Sequence, residues 1–283
     1  MFKIYYENHL GEKLDFTQWP YMVTGGNVFD NKYDTIKEDD HILDFDRGIT
    51  EKKISIDIRK GPGVSLEHAI DRLEDIFEKD VVALQPGKLY VGNSYLKCWI
   101  AGTTKSRWVN DVDSISNELI VVSDYSFWII EEKHSFIKQS IITGEGDVSP
   151  WLEYPFDYPY EYAKVMNLQY LQNDHYTDSG FRMVIYGPCI NPLIRIAGHI
   201  YELQTTLYDG EYAVIDSSTR YAKDRTIMKV KLDGTEEDLF NSRNMDNDIW
   251  QKIPPGRNIV SWNGGFGFEI FLFNERGGPK WIL

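Results

Sequence analysis

Residues 61–79 read Gly61-Pro62-Gly63-Val64-Ser65-Leu66-Glu67-His68-Ala69-Ile70-Asp71-Arg72-Leu73-Glu74-Asp75-Ile76-Phe77-Glu78-Lys79. Leu66, Ala69, Ile70, Leu73, Ile76 and Phe77 recur at spacings of three and four, which sets them on one stripe of an α-helix. Ser65 stands where a cap is needed, just after the Gly-Pro-Gly punctuation. Glu67, Asp71, Arg72, Glu74, Asp75 and Lys79 make the opposite, solvated face, with Asp75 and Lys79 an i,i+4 pair worth a few tenths of a kcal/mol. The spacing predicts one amphipathic helix over about 66–78. Nothing else in the chain is so clearly helical.

On either side the patterns are those of strands. Ile54, Ile56 and Ile58 alternate with Ser55, Asp57 and Arg59, and short apolar runs follow at Leu119–Val122, Phe127–Ile130 and Phe136–Ile142. The first half therefore reads as α+β, one helix on a sheet. From Trp151 to Tyr162 the chain reads Trp-Leu-Glu-Tyr-Pro-Phe-Asp-Tyr-Pro-Tyr-Glu-Tyr, where two prolines forbid a helix or a central strand. It is too aromatic for a flexible linker and reads as a docked, semi-rigid strap.

Beyond the strap every signal is β. Phe181–Tyr186 is apolar, and Met228, Val230 and Leu232 alternate with Lys229 and Lys231. Asp209-Gly210, Asp233-Gly234 and Asn263-Gly264 each suit a type I′ turn, and three such hairpins imply a sandwich or barrel. In the last strand Phe266, Phe268, Ile270 and Leu272 fall on one face and Glu269, Phe271 and Phe273 on the other, so it is central or at an interface. The expected fold is mainly β in two domains: residues 1–148 with the helix, a connector at 149–165, and an antiparallel sandwich at 166–283.

The chain has 283 residues, and 30 Lys plus Arg against 44 Asp plus Glu leave a net charge of −14. That length suits two domains. So acidic a chain argues against binding nucleic acid through its phosphates. No apolar run approaches a membrane span and the first residues do not resemble a signal peptide, so a soluble protein is expected. Cys98 and Cys189 are too few for a disulfide framework, which fits a reducing cytoplasm. The 40 aromatic residues (8 Trp, 18 Tyr, 14 Phe) are more than two small cores require.

The catalytic signatures are missing from the sequence. Gly61-Pro62-Gly63 precedes a helix but lacks the third glycine of a dinucleotide loop, and Gly144-Glu145-Gly146-Asp147 would repel a phosphate. Asp111-Val112-Asp113 opens like a calcium loop, but Ser116 and Val122 stand where Gly and Glu are required. The six histidines form no H-x-x-x-H or H-x-H pair, and there is no G-x-S-x-G elbow. Neither cysteine carries a sign of activation; each reads as a small apolar residue. Adjacent acids such as Asp39-Asp40, Glu131-Glu132 and Glu236-Glu237 alternate across a strand and cannot be read as a glycosidase pair. No catalytic, metal or cofactor residue is assigned. Trp250, Trp262 and Tyr221 are candidate contacts for a sugar ring or a partner, against the usual reading of aromatics in a sandwich as core.

Several segments in order resemble one family. Ile4-Tyr5-Tyr6-Glu7-Asn8 with Gly11-Glu12 and Leu14, the helix near Leu66–Phe77, and Ser123-Asp124-Tyr125-Ser126-Phe127-Trp128 resemble the N-terminal domain of the distal tail (Dit) proteins of siphophages, although Tyr125-Ser126 replaces the family's proline. Tyr154-Pro155 and Tyr158-Pro159-Tyr160, Ile185–Ile194 with Asn191-Pro192, Leu207–Asp216, and Ile253-Pro254-Pro255-Gly256-Arg257-Asn258 are similar to its C-terminal part. The resemblance implies an N-terminal β-sandwich with one helix that forms a hexameric ring, and a C-terminal galectin-like sandwich. It also implies a non-catalytic hub, single or stacked, joining the tail tube to the tail-tip or lysin protein and to receptor-binding proteins, with DNA passing through unbound. Its place would be the distal tail or baseplate of a virion or prophage particle, after synthesis in the bacterial cytoplasm. Phe127, Trp128, Tyr154, Pro155, Asn191, Pro192, Gly256 and Asn258 would be structural motif residues. A ring of six would carry six times −14, or −84 charges, and acids facing the lumen would keep DNA off its wall. The alternative reading is a carbohydrate-binding adhesin; a β-sandwich glycosidase is the third.

Overall fold

The computed structural model describes residues 3–61, 63–106, 113–138, 169–217 and 225–281. The strap at 149–165, with Tyr154 and Pro155, and Tyr221 lie outside the described residues. By packing, the chain divides into Met1–Ile130 with Glu275–Leu283, and Glu131–Asn274. The sequence pattern gives no hint of this division. It falls inside two long strands, Trp128–Phe136 and Phe268–Arg276, whose apolar runs carry no punctuation there.

In the first unit β1 (Ile4–Glu7) lies between β2 (Lys13–Asp15) and β7 (Gly87–Val91). β8 (Ser94–Lys105) pairs with β7 through its first half and with β9 (Ser114–Ser123) through its second, across a bulge between Ile100 and Gly102. β9 continues to β6 (Thr50–Arg59), and β6 to β3 (Tyr21–Gly26). β8 is thus the corner shared by two antiparallel ladders, the usual use of a bulge. Ile54, Ile56 and Ile58 are all buried, as their alternation requires.

Helix α1 (Leu66–Ala83) sets Leu66, Ala69, Leu73, Ile76 and Phe77 into this core, beside Tyr6, Phe16 and Trp128. Ser65 caps it, its side chain accepting from the His68 N–H at 3.2 Å. The helix runs past the expected end near Glu78. The inward position after Phe77 is Asp80, which breaks the apolar stripe, and the stop is Leu84 at φ +52° rather than a glycine. The expected Asp75–Lys79 pair gives way to Lys79 on Glu12, at 2.8 and 2.9 Å.

The second unit has two antiparallel layers. One contains β12 (Gly180–Tyr186) flanked by β17 (Tyr212–Asp216) and β21 (Phe268–Arg276), extended by β18 (Thr226–Val230) and β19 (Glu236–Asp238). The other is β11 (Gln169–Asn173), β20 (Gly256–Trp262), β14 (Leu193–Ile196) and β15 (His199–Glu202) in that order. Met183, Ile185, Ile215, Ile270 and Leu272 from the first meet Leu171, Ile194, Val260 and Trp262 from the second in one core.

Only one of the three expected hairpins forms. Asp233-Gly234 joins the paired strands β18 and β19, with Gly234 at φ +81°. The other two turns join strands that do not pair: Gly210 follows β16 (Thr206–Leu207), whose partner is β13 (Cys189–Ile190), and Gly264 carries the chain from β20 in one layer to β21 in the other. In all three the residue before Gly keeps φ below zero, which excludes type I′.

Candidate functional site

β4 (Asp34–Glu38) and β5 (His41–Asp46) form a two-stranded sheet of their own, turned by Asp39 and Asp40. Asp39 takes φ +49°, which its short polar side chain tolerates. No residue of either strand is buried. The register sets Thr35 opposite Phe45 and Lys37 opposite Ile42, so one face carries Thr35, Lys37, Ile42 and Phe45. The other carries Asp34, Ile36, Glu38, His41, Asp44 and Asp46, and Leu43 is the extra residue of a bulge. Ile36, Ile42, Leu43 and Phe45 are 47–60% exposed. Ile42 and Phe45 share one face and Ile36 lies on the other, and a two-stranded hairpin with no buried residue is marginal in water by itself.

The feet of this arm are well held. Arg47 is buried, its guanidinium 4.8 Å from the Tyr33 ring and 5.3 Å from the Phe127 ring. Tyr33 meets Phe45 edge-on at 6.4 Å. Ser126 Oγ donates to the Gly48 carbonyl at 2.7 Å, and Lys52 Nζ to the Asp30 carbonyl at 2.6 Å. Phe127 therefore props the arm, whereas its neighbour Trp128 is fully buried in the core. The sequence reading missed the arm. Its signal is the pair of acid-apolar strand patterns on either side of Asp39-Asp40, which read there only as adjacent acids.

One buried carboxylate could suggest chemistry, but its surroundings make it structural. Asp80 accepts from the Tyr6 hydroxyl at 2.5 Å and the His9 N–H at 2.9 Å, and His9 Nδ1 lies 2.5 Å away. Burial, then the nearby Cys98 and Asp80, push the Tyr6 phenol far up, so it stays a donor. A Cβ at Gly87 would collide with both Tyr6 Oη and Asp80 Oδ2. The cluster fastens the end of β1 to the last turns of α1, beside an open depression of about 430 Å³ lined by His9, Leu10, Val82 and others. Cys98 is buried and its thiol is raised by desolvation, the reverse of an activated nucleophile. Among the described residues no group of three or more His, Cys, Asp or Glu could hold a metal ion. No helix among them is long and apolar enough to cross a membrane.

In the second unit two of the three aromatic candidates, Trp262 and Trp250, lie among the described residues. Trp262 is 1% exposed, its Nε1 donating to the Phe266 carbonyl at 3.0 Å and its ring edge-on to Phe136 and Phe268 at 5.8 and 5.2 Å. It is core, because it lies in phase with the inward Val260. Trp250 is half-buried against Phe240, with the Arg243 guanidinium 5.5 Å from its ring. The motif residues shape turns: Asn191 takes φ +46° before the buried Pro192, and Gly256 φ +90°. Asn258 is buried and donates through Nδ2 to the carbonyls of Pro254 and Gly256 at 2.8 and 3.1 Å.

No family model matches this sequence, and no curated protein matches it. Solved structures do match. A chain of the phage p2 baseplate in its activated conformation with strontium aligns at TM-score 0.65 and 13% identity, covering 99% of this chain and 100% of that one. The phage p2 baseplate in its activated conformation with calcium gives 0.63 and 13%, over 98% and 99%. The SPP1 Dit (gp 19.1) protein, described as a paradigm of the hub adsorption apparatus in phages infecting Gram-positive hosts, gives 0.55 and 10%, over 98% and 99%. From end to end, the chain has the mainly β fold of phage baseplate and Dit hub proteins.

Proposed function

We propose that this chain is a structural, non-catalytic protomer of a phage or prophage tail hub, assembling into a ring that joins the tail tube to the tail-tip or baseplate proteins. The observation that carries the reading is the arm at 34–46, a two-stranded sheet with no buried residue that leaves Ile36, Ile42, Leu43 and Phe45 in water. A surface that reaches out to a different surface on the next copy is a heterologous contact, and such contacts give a ring when the rotation between copies closes. The whole-length fold match to baseplate and Dit proteins supports the same reading. In this account the ring is a hexamer, single or stacked, and the second unit faces receptor-binding or other tail proteins. Acidic residues line a lumen through which DNA passes without binding. The adhesin alternative is weakened at Trp262, which is core, while Trp250 is half-buried against Phe240.

The experiment is photo-crosslinking from the arm, with Phe45→p-benzoylphenylalanine. Illumination of purified protein should give a covalent ladder reaching six chains. Crosslinks confined to single chains would overturn the reading.

A further inference from the structure

The residues beyond Asn274 return to the first unit, and the place they pack is the foot of the arm. The Trp281 ring stacks on Phe29 at 4.1 Å and 23°, although Trp281 is 68% exposed. Gly277 and Pro279 are buried. A Cβ at Gly277 would run into the Arg47 guanidinium and the Asn31 amide, and one at Gly278 would touch the Phe29 carbonyl at 3.6 Å. The Tyr125 hydroxyl donates to the Glu275 carboxylate, next to Phe127 on which Arg47 rests. Phe29 and Asn31 precede β4, and Arg47 follows β5. One short segment therefore contacts both feet of a hairpin that has no buried residue of its own.

We infer that Glu275–Trp281 is a clasp that fixes the direction of the arm, so that the first unit becomes competent to assemble only when the chain returning from the second unit has docked. This rests on the arm being the assembly surface. Its physical basis is preorganisation. A hairpin pivoting on loose feet must be ordered at the moment of binding, and that ordering weakens assembly without removing any contact. At Gly277 the φ is not positive and the constraint is one of space: a Cβ would force the end of Asn31 or of Arg47 to move, and Arg47 is buried between Tyr33 and Phe127.

The test uses the full chain with Trp281→Ala and Gly277→Ala, read by amide hydrogen exchange and by the concentration at which rings form. The exposed Trp281→Ala is the variant that should leave the fold intact. Both should speed exchange at residues 29–33 and 47–50 by about tenfold or more while α1 and β6 keep their protection, and both should raise the assembly concentration by about as much. Unchanged exchange at both feet would overturn the clasp. Faster exchange with assembly at the wild-type concentration would overturn its link to assembly. Phe45→Asp keeps the two ideas apart: rings from that variant would refute the arm as the assembly surface, whereas the clasp would still be decided by exchange.

Discussion

Replacing Trp262 by Ala distinguishes most sharply between a core tryptophan and a binding one. The indole is 1% exposed, so its removal costs the transfer of a large ring and leaves a cavity, about 3–5 kcal/mol for Trp→Ala. It also removes the donor to the Phe266 carbonyl, stranding a buried acceptor at about 1–3 kcal/mol, and two edge-on contacts, to Phe136 and Phe268, worth about 0.5–1.5 kcal/mol each. These overlap, and we expect about 4–6 kcal/mol, a large part of the 5–15 kcal/mol by which domains are stable. Trp262→Phe, which keeps a ring but loses the N–H, should cost about 1–3 kcal/mol. The assay is urea unfolding followed by circular dichroism, with the slope compared between variants so that a change in midpoint is read as a change in stability. A Trp262→Ala protein within 1 kcal/mol of the parent would refute the burial argument and restore Trp262 as a surface residue.

Further expectations follow from other sites. Tyr6→Phe should destabilise the first unit by about 1.5–3 kcal/mol, because the buried Asp80 carboxylate loses a donor, and Asp80→Ala by about 3–5 kcal/mol; unfolding curves like the parent's would mean the cluster is not fastened in solution. Leu73→Asp places a charge in the helix–sheet core and should unfold that unit, so unchanged melting would show the wrong helix face inward. Burial raises the Cys189 thiol to about 11, so the thiolate is scarce at pH 8 and grows as pH rises toward that value. Its alkylation in the folded protein should lag that in urea by about two orders of magnitude at pH 8, the two rates converging near pH 11. Equal rates at pH 8 would show an exposed thiol.

How far the sequence carried can be judged residue by residue. Ser65 and the Leu66–Phe77 stripe announced the helix because capping and periodicity are local signals. Its last turns were hidden by Asp80, an inward carboxylate whose partners, Tyr6 and His9, are more than 70 positions away. Ile54, Ile56 and Ile58 were legible for the same local reason. The Xaa-Gly pairs were not, since a glycine at positive φ serves several turn types and does not say whether the strands it joins are partners. Trp262 could have been placed inward from its phase with Val260, had composition not drawn attention to tryptophan as a platform. The arm stayed hidden because exposed Ile42 and Phe45 look, in sequence, like any strand's buried side. That Gly277 and Trp281 brace it is a long-range contact with no local signature.

The mass of the purified particle tests the tail-hub account most directly. Light scattering across a size-exclusion peak should give about six times the 33.0 kDa of one chain, or a multiple of that if rings stack, with Phe45→Asp falling to a single chain. A mass of 33.0 kDa for the unaltered protein at every concentration up to the millimolar range would contradict it.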